Sequence, residues 1–324
     1  MSRSIDEIER PDGIAFSYKI PSDPTDKELQ FVRQLGISKV YTWLEDDQAN
    51  YAYISELSDR LATHGLELSN AGTLRLSKSA SIHLAYPDRD KIIDEFKEFI
   101  SDLKRAGVHT TTFTWEPDCV QSTENMKGRG DSITRAVELE ALKKQPPTRE
   151  GNYSHEQIWD NFAYFMREIM PVAESVGIRL SLHPNDPPMP DINGVPCLIY
   201  NRQCYDRAFE IADSDWLGME FCCGCWLEGG DQFGNILEDI EKYVSAGKVF
   251  IVHFRNVSSP LPNFEESFLD DGYMNMHTVM ETFINAGFRG NMTLDHSPSM
   301  AYPMAEKAYA IGYMNALRQS LSKG

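Results

Sequence analysis

Long apolar runs are missing from this chain of 324 residues. None approaches the ~18 residues that a membrane-spanning helix needs, so no membrane partner is expected. The opening stretch, MSRSIDEIERPDG, is polar and charged and lacks the apolar h-region of a secretory signal. A cytoplasmic location is the expectation. Positive charge is scarce, with 31 Lys and Arg against 49 Asp and Glu, a net charge of −18. Such a surface repels phosphate backbones and removes nucleic acid from the expected partners. An anionic substrate would need a local attractor, and a metal ion would serve. Repeats, low-complexity tracts and interdomain linkers are also missing, so residues 1–324 are expected to form a single domain. Hydrophobic content of 41% and charged content of 25% are ordinary for a globular protein.

Eight β-prone segments are present: 13–20, 37–44, 66–72, 108–115, 178–183, 216–223, 248–257 and 290–296. Between them lie stretches of 3.6-residue periodicity such as DKIIDEFKEFISDLKRAG and EQIWDNFAYFMREIMPVAESVG. A glycine closes six helical stretches just before the next strand: Gly36, Gly65, Gly107, Gly177, Gly247 and Gly287. This βα alternation requires parallel strands, and eight units closing on themselves make an α/β fold, the (β/α)8 TIM barrel. The Gly-x-Gly-x-x-Gly loop often carried by an open doubly wound sheet does not occur. The segment 119–156 after the fourth strand is too long for an ordinary βα connection and is expected to be an insertion, either a lid or a partner contact.

Catalytic side chains of such barrels sit where strands end. The fifth to eighth segments end in His183, Cys222, His253 and then Asp295 with His296. Each of these taken singly has a bland alternative: packing for a histidine, a small hydrophobe for a cysteine, a helix cap for Asp295. On four consecutive strand ends they point to one divalent transition metal, because thiolate and carboxylate together neutralise M2+. Thiolate softness alone favours zinc or iron. The six cysteines include the cluster FCCGCW at 221–226, which also fits C-x-x-C. Gly224 and Trp226 do not announce the strand-to-helix setting of a redox pair, so metal ligation is the preferred reading.

The phrases SLHPNDPPMP, FCCGCW, VHFRNV and TLDH, in this order, resemble motifs of the mannonate dehydratase family, densely from Trp159 to His296. After Asp-His the chain reads DHSPSMAYP rather than the long form's Gly-His-Gln phrase, which makes it similar to a short-form member. The resemblance implies a metal-dependent barrel of the xylose isomerase-like superfamily. Such an enzyme converts D-mannonate to 2-keto-3-deoxy-D-gluconate in sugar acid (hexuronate) catabolism. It implies metal ligation by His183, Cys222, His253 and Asp295, manganese as the usual ion, His296 as an acid/base group, and a homodimer. A late catalytic tyrosine would be Tyr302, Tyr309 or Tyr313.

Pro184, Pro187, Pro188 and Pro190 restrict the loop that leaves His183, and Asn185 and Asp186 are candidate substrate or supporting groups, with turn formation as the alternative. Arg255, two residues after His253, should point to the same side under strand alternation and hold the substrate carboxylate, with a surface salt bridge as the alternative. Asp271 and Tyr273 are candidate contacts to substrate hydroxyls, while Asp270 reads as an acidic helix start. Trp43, Trp115 and Trp226 read as core. The rival enzyme is a sugar isomerase or epimerase of the same superfamily, which more usually presents glutamates to its metal; Glu116 is the one evident strand-end glutamate. A non-catalytic sugar-acid-binding barrel is the alternative from another class.

Overall fold

The computed structural model describes residues 13–117 and 120–321. Cys119 and most of the N-terminal stretch used for the localisation argument lie outside the described residues. Eight parallel strands form one sheet: β1 (Ala15–Lys19), β2 (Lys39–Leu44), β3 (Glu67–Thr73), β4 (Thr110–Thr114), β5 (Arg179–His183), β6 (Leu217–Cys222), β7 (Val249–Phe254) and β8 (Asn291–Leu294). Their order is β3-β2-β1-β8-β7-β6-β5-β4, so consecutive strands are neighbours and β1 lies against β8. β3 and β4 close the ring through side chains: Asn70 Nδ2 donates to Thr112 Oγ1 at 2.9 Å, and Thr111 Oγ1 donates to the Ala71 carbonyl at 2.7 Å. The expected TIM barrel is present.

Eight helices surround the sheet: α1 (Asp26–Gln34), α2 (Tyr51–Thr63), α3 (Arg89–Arg105), α4 (His155–Val176), α5 (Arg202–Ala212), α6 (Ile236–Ser245), α7 (Met276–Asn285) and α8 (Ala305–Leu321). Their starts are written in the sequence. Thr25 and Ser154 form capping boxes with Glu28 and Gln157, and the side chains of Asn50, Asn201, Asn235 and Asn275 accept from first-turn amides. The six helix-closing glycines all have positive φ, between 67° and 85°. Of the seven helices that lead into a following strand, the one without such a glycine, α5, turns through Asp213 at φ 44° instead.

Strand alternation sorts the side chains. On β6, Leu217, Met219 and Phe221 pack outward under the helices, while Gly218, Glu220 and Cys222 face the barrel axis. The axis is lined by small or polar groups, including Ser17, Asn70, Glu220 and Thr293, all buried. Hydrophobic packing therefore lies between sheet and helices, leaving the barrel's interior available for polar chemistry.

The excursion after β4 is built into the barrel. Two-residue strands pair at Met126–Lys127 and Ile133–Thr134, and Ala136–Glu138 pairs antiparallel with Asn263–Ser267 in the loop after β7. Its Val120 lines the central cavity.

One buried histidine makes stability depend on pH. His83 is 2% exposed, stacks on Trp115 at 4.2 Å between ring centroids, and leaves Nδ1 without a hydrogen-bond partner among the described residues. Burial, aided by Lys78 and Arg149, pulls its pKa down to about 3. The unfolded chain binds a proton below pH ~6.5 that the folded one refuses, so this contribution is intact above that pH and is lost as the pH falls. In urea unfolding from pH 6 to 5, wild type should lose up to about 1.4 kcal/mol more stability per pH unit than His83→Phe. Parallel pH dependences would show that His83 does not carry it.

Candidate active site

The inward-facing residues at the C-terminal ends of the strands form one ring. In register, Cys222 lies beside His253, His253 beside Thr293, and Thr114 beside His183. Asp295 follows β8 directly. A cavity of about 490 Å³ opens above this ring and is lined by His183, Glu220, His253, Asp295 and His296, among others. Ligand atoms of His183, Cys222 and His253 all lie within 4.8 Å of one another. Asp295 completes a tetrad, with Oδ1 3.4 Å from His253 Nδ1 and Oδ2 3.7 Å from Cys222 Sγ.

The donor chemistry fits a divalent ion. His183 Nδ1 lies 2.7 Å from the Pro184 carbonyl, which can only accept, so Nδ1 carries a proton and Nε2 is the nitrogen available to a metal. Glu220 Oε1 approaches His253 Nε2 at 2.7 Å, yet both ring nitrogens of His253 lack a hydrogen bond of acceptable geometry among the described residues. Burial pushes the Cys222 thiol up, but the Cys225 thiol, the Arg255 guanidinium and His183 act against it and hold it well below the usual thiol range. Asp295, despite burial, is held well below the usual carboxylate range by His296, His253 and Arg255. A thiolate and a carboxylate beside two imidazoles form a set suited to a divalent transition metal.

His296 lines the same cavity with its side chain 42% exposed. Its Nδ1 lies 2.7 Å from Glu266 Oε1, and its Nε2 lies 3.7 Å from Asp295 Oδ1. Asp295 first, with Glu266 behind it, raises its pKa to about 9, against the pull of burial.

Arg255 is elsewhere than expected. Strand β7 ends at Phe254, so alternation stops there and the Arg255 side chain turns under the short helix Cys223–Gly229. It is fully buried among carboxylates, with NH1 at 2.5 Å from Glu228 and 2.9 Å from Glu266, NH2 at 3.0 Å from Asp186, and Nε at 2.9 Å from Asp295. No donor remains for a substrate. Arg135, from the excursion and unsuspected in the sequence, enters the same cluster through Asp186 at 2.7 Å and Glu266 at 2.9 Å. The buried group Asp186, Cys225 and Glu228 has metal-like spacing, but the Arg255 guanidinium already bonds to each of the three.

Other expected substrate contacts also face away. Asn185 is buried, donating to the Trp115 carbonyl and accepting from the Ile199 amide, which fixes the loop rather than a ligand. Asp186 borders the cavity, but its carboxylate oxygens are taken by Arg135 and Arg255. Tyr273 donates to the Leu227 carbonyl, and Asp271 lies 3.8 Å from Arg129 of the excursion. Neither lines the cavity. Asp270 does not start a helix; it accepts from Arg129 and Tyr309. The late tyrosines miss as well: Tyr302 is 78% exposed, Tyr309 is held by Asp270, and Tyr313 is outside the cavity lining. Tyr18 and Tyr41, from β1 and β2, line it instead.

Three further differences emerge. Glu220 is a strand glutamate in the cavity, legible as the residue two before Cys222 on the same face. Trp43 lines the cavity, whereas Trp115 and Trp226 are core. Strand β6 does feed a short helix at Cys223, but Cys222 and Cys225 are free thiols and Gly224 has a different role: a Cβ there would overlap the Arg255 guanidinium.

Replacing Arg255 by Met would leave Asp295 without its guanidinium partner and Asp186, Glu228 and Glu266 with Arg135 alone. A loss of about 3–5 kcal/mol is expected in denaturant unfolding. A loss below about 1 kcal/mol, the scale of an exposed pair, would show that the cluster does not depend on it.

Comparison with known proteins agrees with this geometry. A family model described as D-mannonate dehydratase (UxuA) matches residues 133–324. The chain is similar to mannonate dehydratase 2 of Halalkalibacterium halodurans, 25% identical over 344 residues, covering 92% of this chain and 97% of that protein. Mannonate dehydratase of Lactococcus lactis subsp. cremoris is also 25% identical, covering 91% of this chain and 95% of that one. Among solved structures, mannonate dehydratase from Streptococcus suis serotype 2 superposes with a TM-score of 0.86 at 22% identity, covering 96% and 95% of the two chains. An L-ribulose 3-epimerase shares the fold at a TM-score of 0.61 and 14% identity, covering 94% and 95%. With the family match spanning more than half of the sequence, the chain belongs to the D-mannonate dehydratase (UxuA) family.

Proposed function

We propose that this chain is a metal-dependent hydro-lyase that removes water from D-mannonate to give 2-keto-3-deoxy-D-gluconate. The observation that carries the reading is the convergence of His183, Cys222, His253 and Asp295 at the mouth of a barrel of this family. These four residues would hold the ion, and manganese is the ion inferred from the family. When bound, the cation supplies a Lewis acid for the negative charge that builds on substrate oxygens as the C2 proton leaves.

The chain's own groups supply the proton transfers. His296, held against Glu266 and open to the cavity, is placed to protonate the hydroxyl that departs from C3. Glu220 and Tyr41 line the same wall, and Glu220, 2.7 Å from His253 Nε2, orients that ligand. Presence of Glu220 removes the glutamate argument against an isomerase or epimerase. The distinguishing feature is then His296, because an isomerase has no leaving hydroxide to protonate. The same reading expects a homodimer in the cytoplasm. Among the described residues no helix is long and apolar enough to cross a membrane.

Metal-stripped protein re-supplied with Mn2+, Zn2+, Fe2+ or Co2+ should form a 2-keto-3-deoxy acid from D-mannonate only when a metal is present. Tight metal binding without product under every ion would refute this substrate. His296→Asn should retain bound metal, measured by elemental analysis, and lose about 10²- to 10⁴-fold in kcat, the range for a general acid. Cys222→Ser and His183→Ala should instead lose the metal. Full activity of His296→Asn would remove the leaving-group acid from the mechanism.

A further inference from the structure

A sugar-acid substrate brings a carboxylate to a protein of net charge −18. The guanidiniums of Arg255 and Arg135 are already bound by carboxylates, so apart from a bound metal ion it is left with the lysines of the cavity. Three lysines line the cavity: Lys19, Lys78 and Lys307. Lys78 Nζ donates to Glu116 Oε2 at 2.6 Å, and that pair is nearly closed to solvent. Lys19 and Lys307 form no hydrogen bond or ion pair with any described residue.

Lys19 has the more telling position. It is the last residue of β1, two beyond Ser17, and Ser17 lies in register with Thr293 of β8. Extending that register by one inward-facing step puts Lys19 beside Asp295, in the same ring as the metal-ligand candidates. The ammonium feels Asp295 on one side and the positive charges of Lys307 and Lys78 on the other. Lys19 is an exposed residue of the cavity wall, so its ammonium is open to a ligand. An incoming anion relieves the mutual repulsion of the lysines.

We propose that Lys19 receives the carboxylate of the aldonic acid substrate, with Lys307 as the second, weaker cation of the subsite. This rests on the dehydratase reading above. A carboxylate on Lys19 sets C2 and C3 next to the Asp295 side of the ring, where the cation and His296 act. It also answers why Arg255 is not needed for this task.

The test is calorimetric binding of D-mannonate and D-gluconate to Mn2+-loaded protein, together with kcat and KM for D-mannonate. Lys19→Met should weaken D-mannonate binding and raise KM about ten- to hundred-fold, the worth of one charge-assisted hydrogen bond. Bound metal and the thermal midpoint should be unchanged, Lys19→Arg should recover part of the affinity, and Lys307→Met should cost less. Wild-type affinity in Lys19→Met overturns the proposal, as does a loss confined to Lys307→Met. Loss of metal from Lys19→Met also overturns it, because Lys19 would then act through Asp295. If wild type turns over no D-mannonate yet binds D-gluconate in a Lys19-dependent way, the subsite stands and the substrate reading falls. If wild type binds neither acid, both fall.

Discussion

The site depends on one buried cation. Arg255 is enclosed by Asp186, Glu228, Glu266 and Asp295 and lies 3.5 Å from Cys222 Sγ. Taking so many acidic groups out of water is costly unless each has a partner, and a planar guanidinium with five donors can serve several at once. The same contacts orient a metal-ligand candidate, Asp295, and hold Cys222 toward its thiolate form. They also tie three parts of the chain together: the proline-restricted loop after β5, the short helix after β6 and the strand Asn263–Ser267 after β7. Glu266 then passes the constraint to His296 by a 2.7 Å contact.

Around this fixed cluster the barrel supplies repetition. Each strand presents alternate residues to the axis, and the last such residue reaches the cavity. On β5 to β8 these residues are metal-ligand types, and β1 and β2 contribute Lys19 and Trp43. The outer faces are largely apolar because helices cover them, as on β6. Chemistry and stability are thus assigned to opposite faces of one sheet, which lets one fold carry different sites at its ring.

Much of this was readable along the chain. Helix caps, glycine stops and β-branched strands are local signals, and they give the βα rhythm correctly. His183, Cys222, His253 and Asp295 are legible because strand ends in a barrel have only one place to meet. Glu220 was equally available, two residues before Cys222, but a glutamate inside a hydrophobic strand reads as packing noise without the alternation applied backward. The excursion read as an insertion after β4, but not its delivery of Arg135 into the core, since nothing local marks an arginine whose partners are 51 and 131 positions away.

The errors share a cause. Arg255, Asn185, Asp271, Tyr273 and the late tyrosines were assigned by nearness in sequence to ligands or by motif, and all but Tyr309 and Tyr313, which lie on α8, sit where the chain has left regular structure. Beyond a strand's end, side-chain direction is no longer set by the pleat but by which buried charges must be neutralised. The sequence by itself determined the barrel, the family and the convergence of His183, Cys222, His253 and Asp295 at one end of it. Tertiary structure alone decided which cations are consumed by buried carboxylates and which remain open to a ligand, because that depends on charges brought together from distant segments.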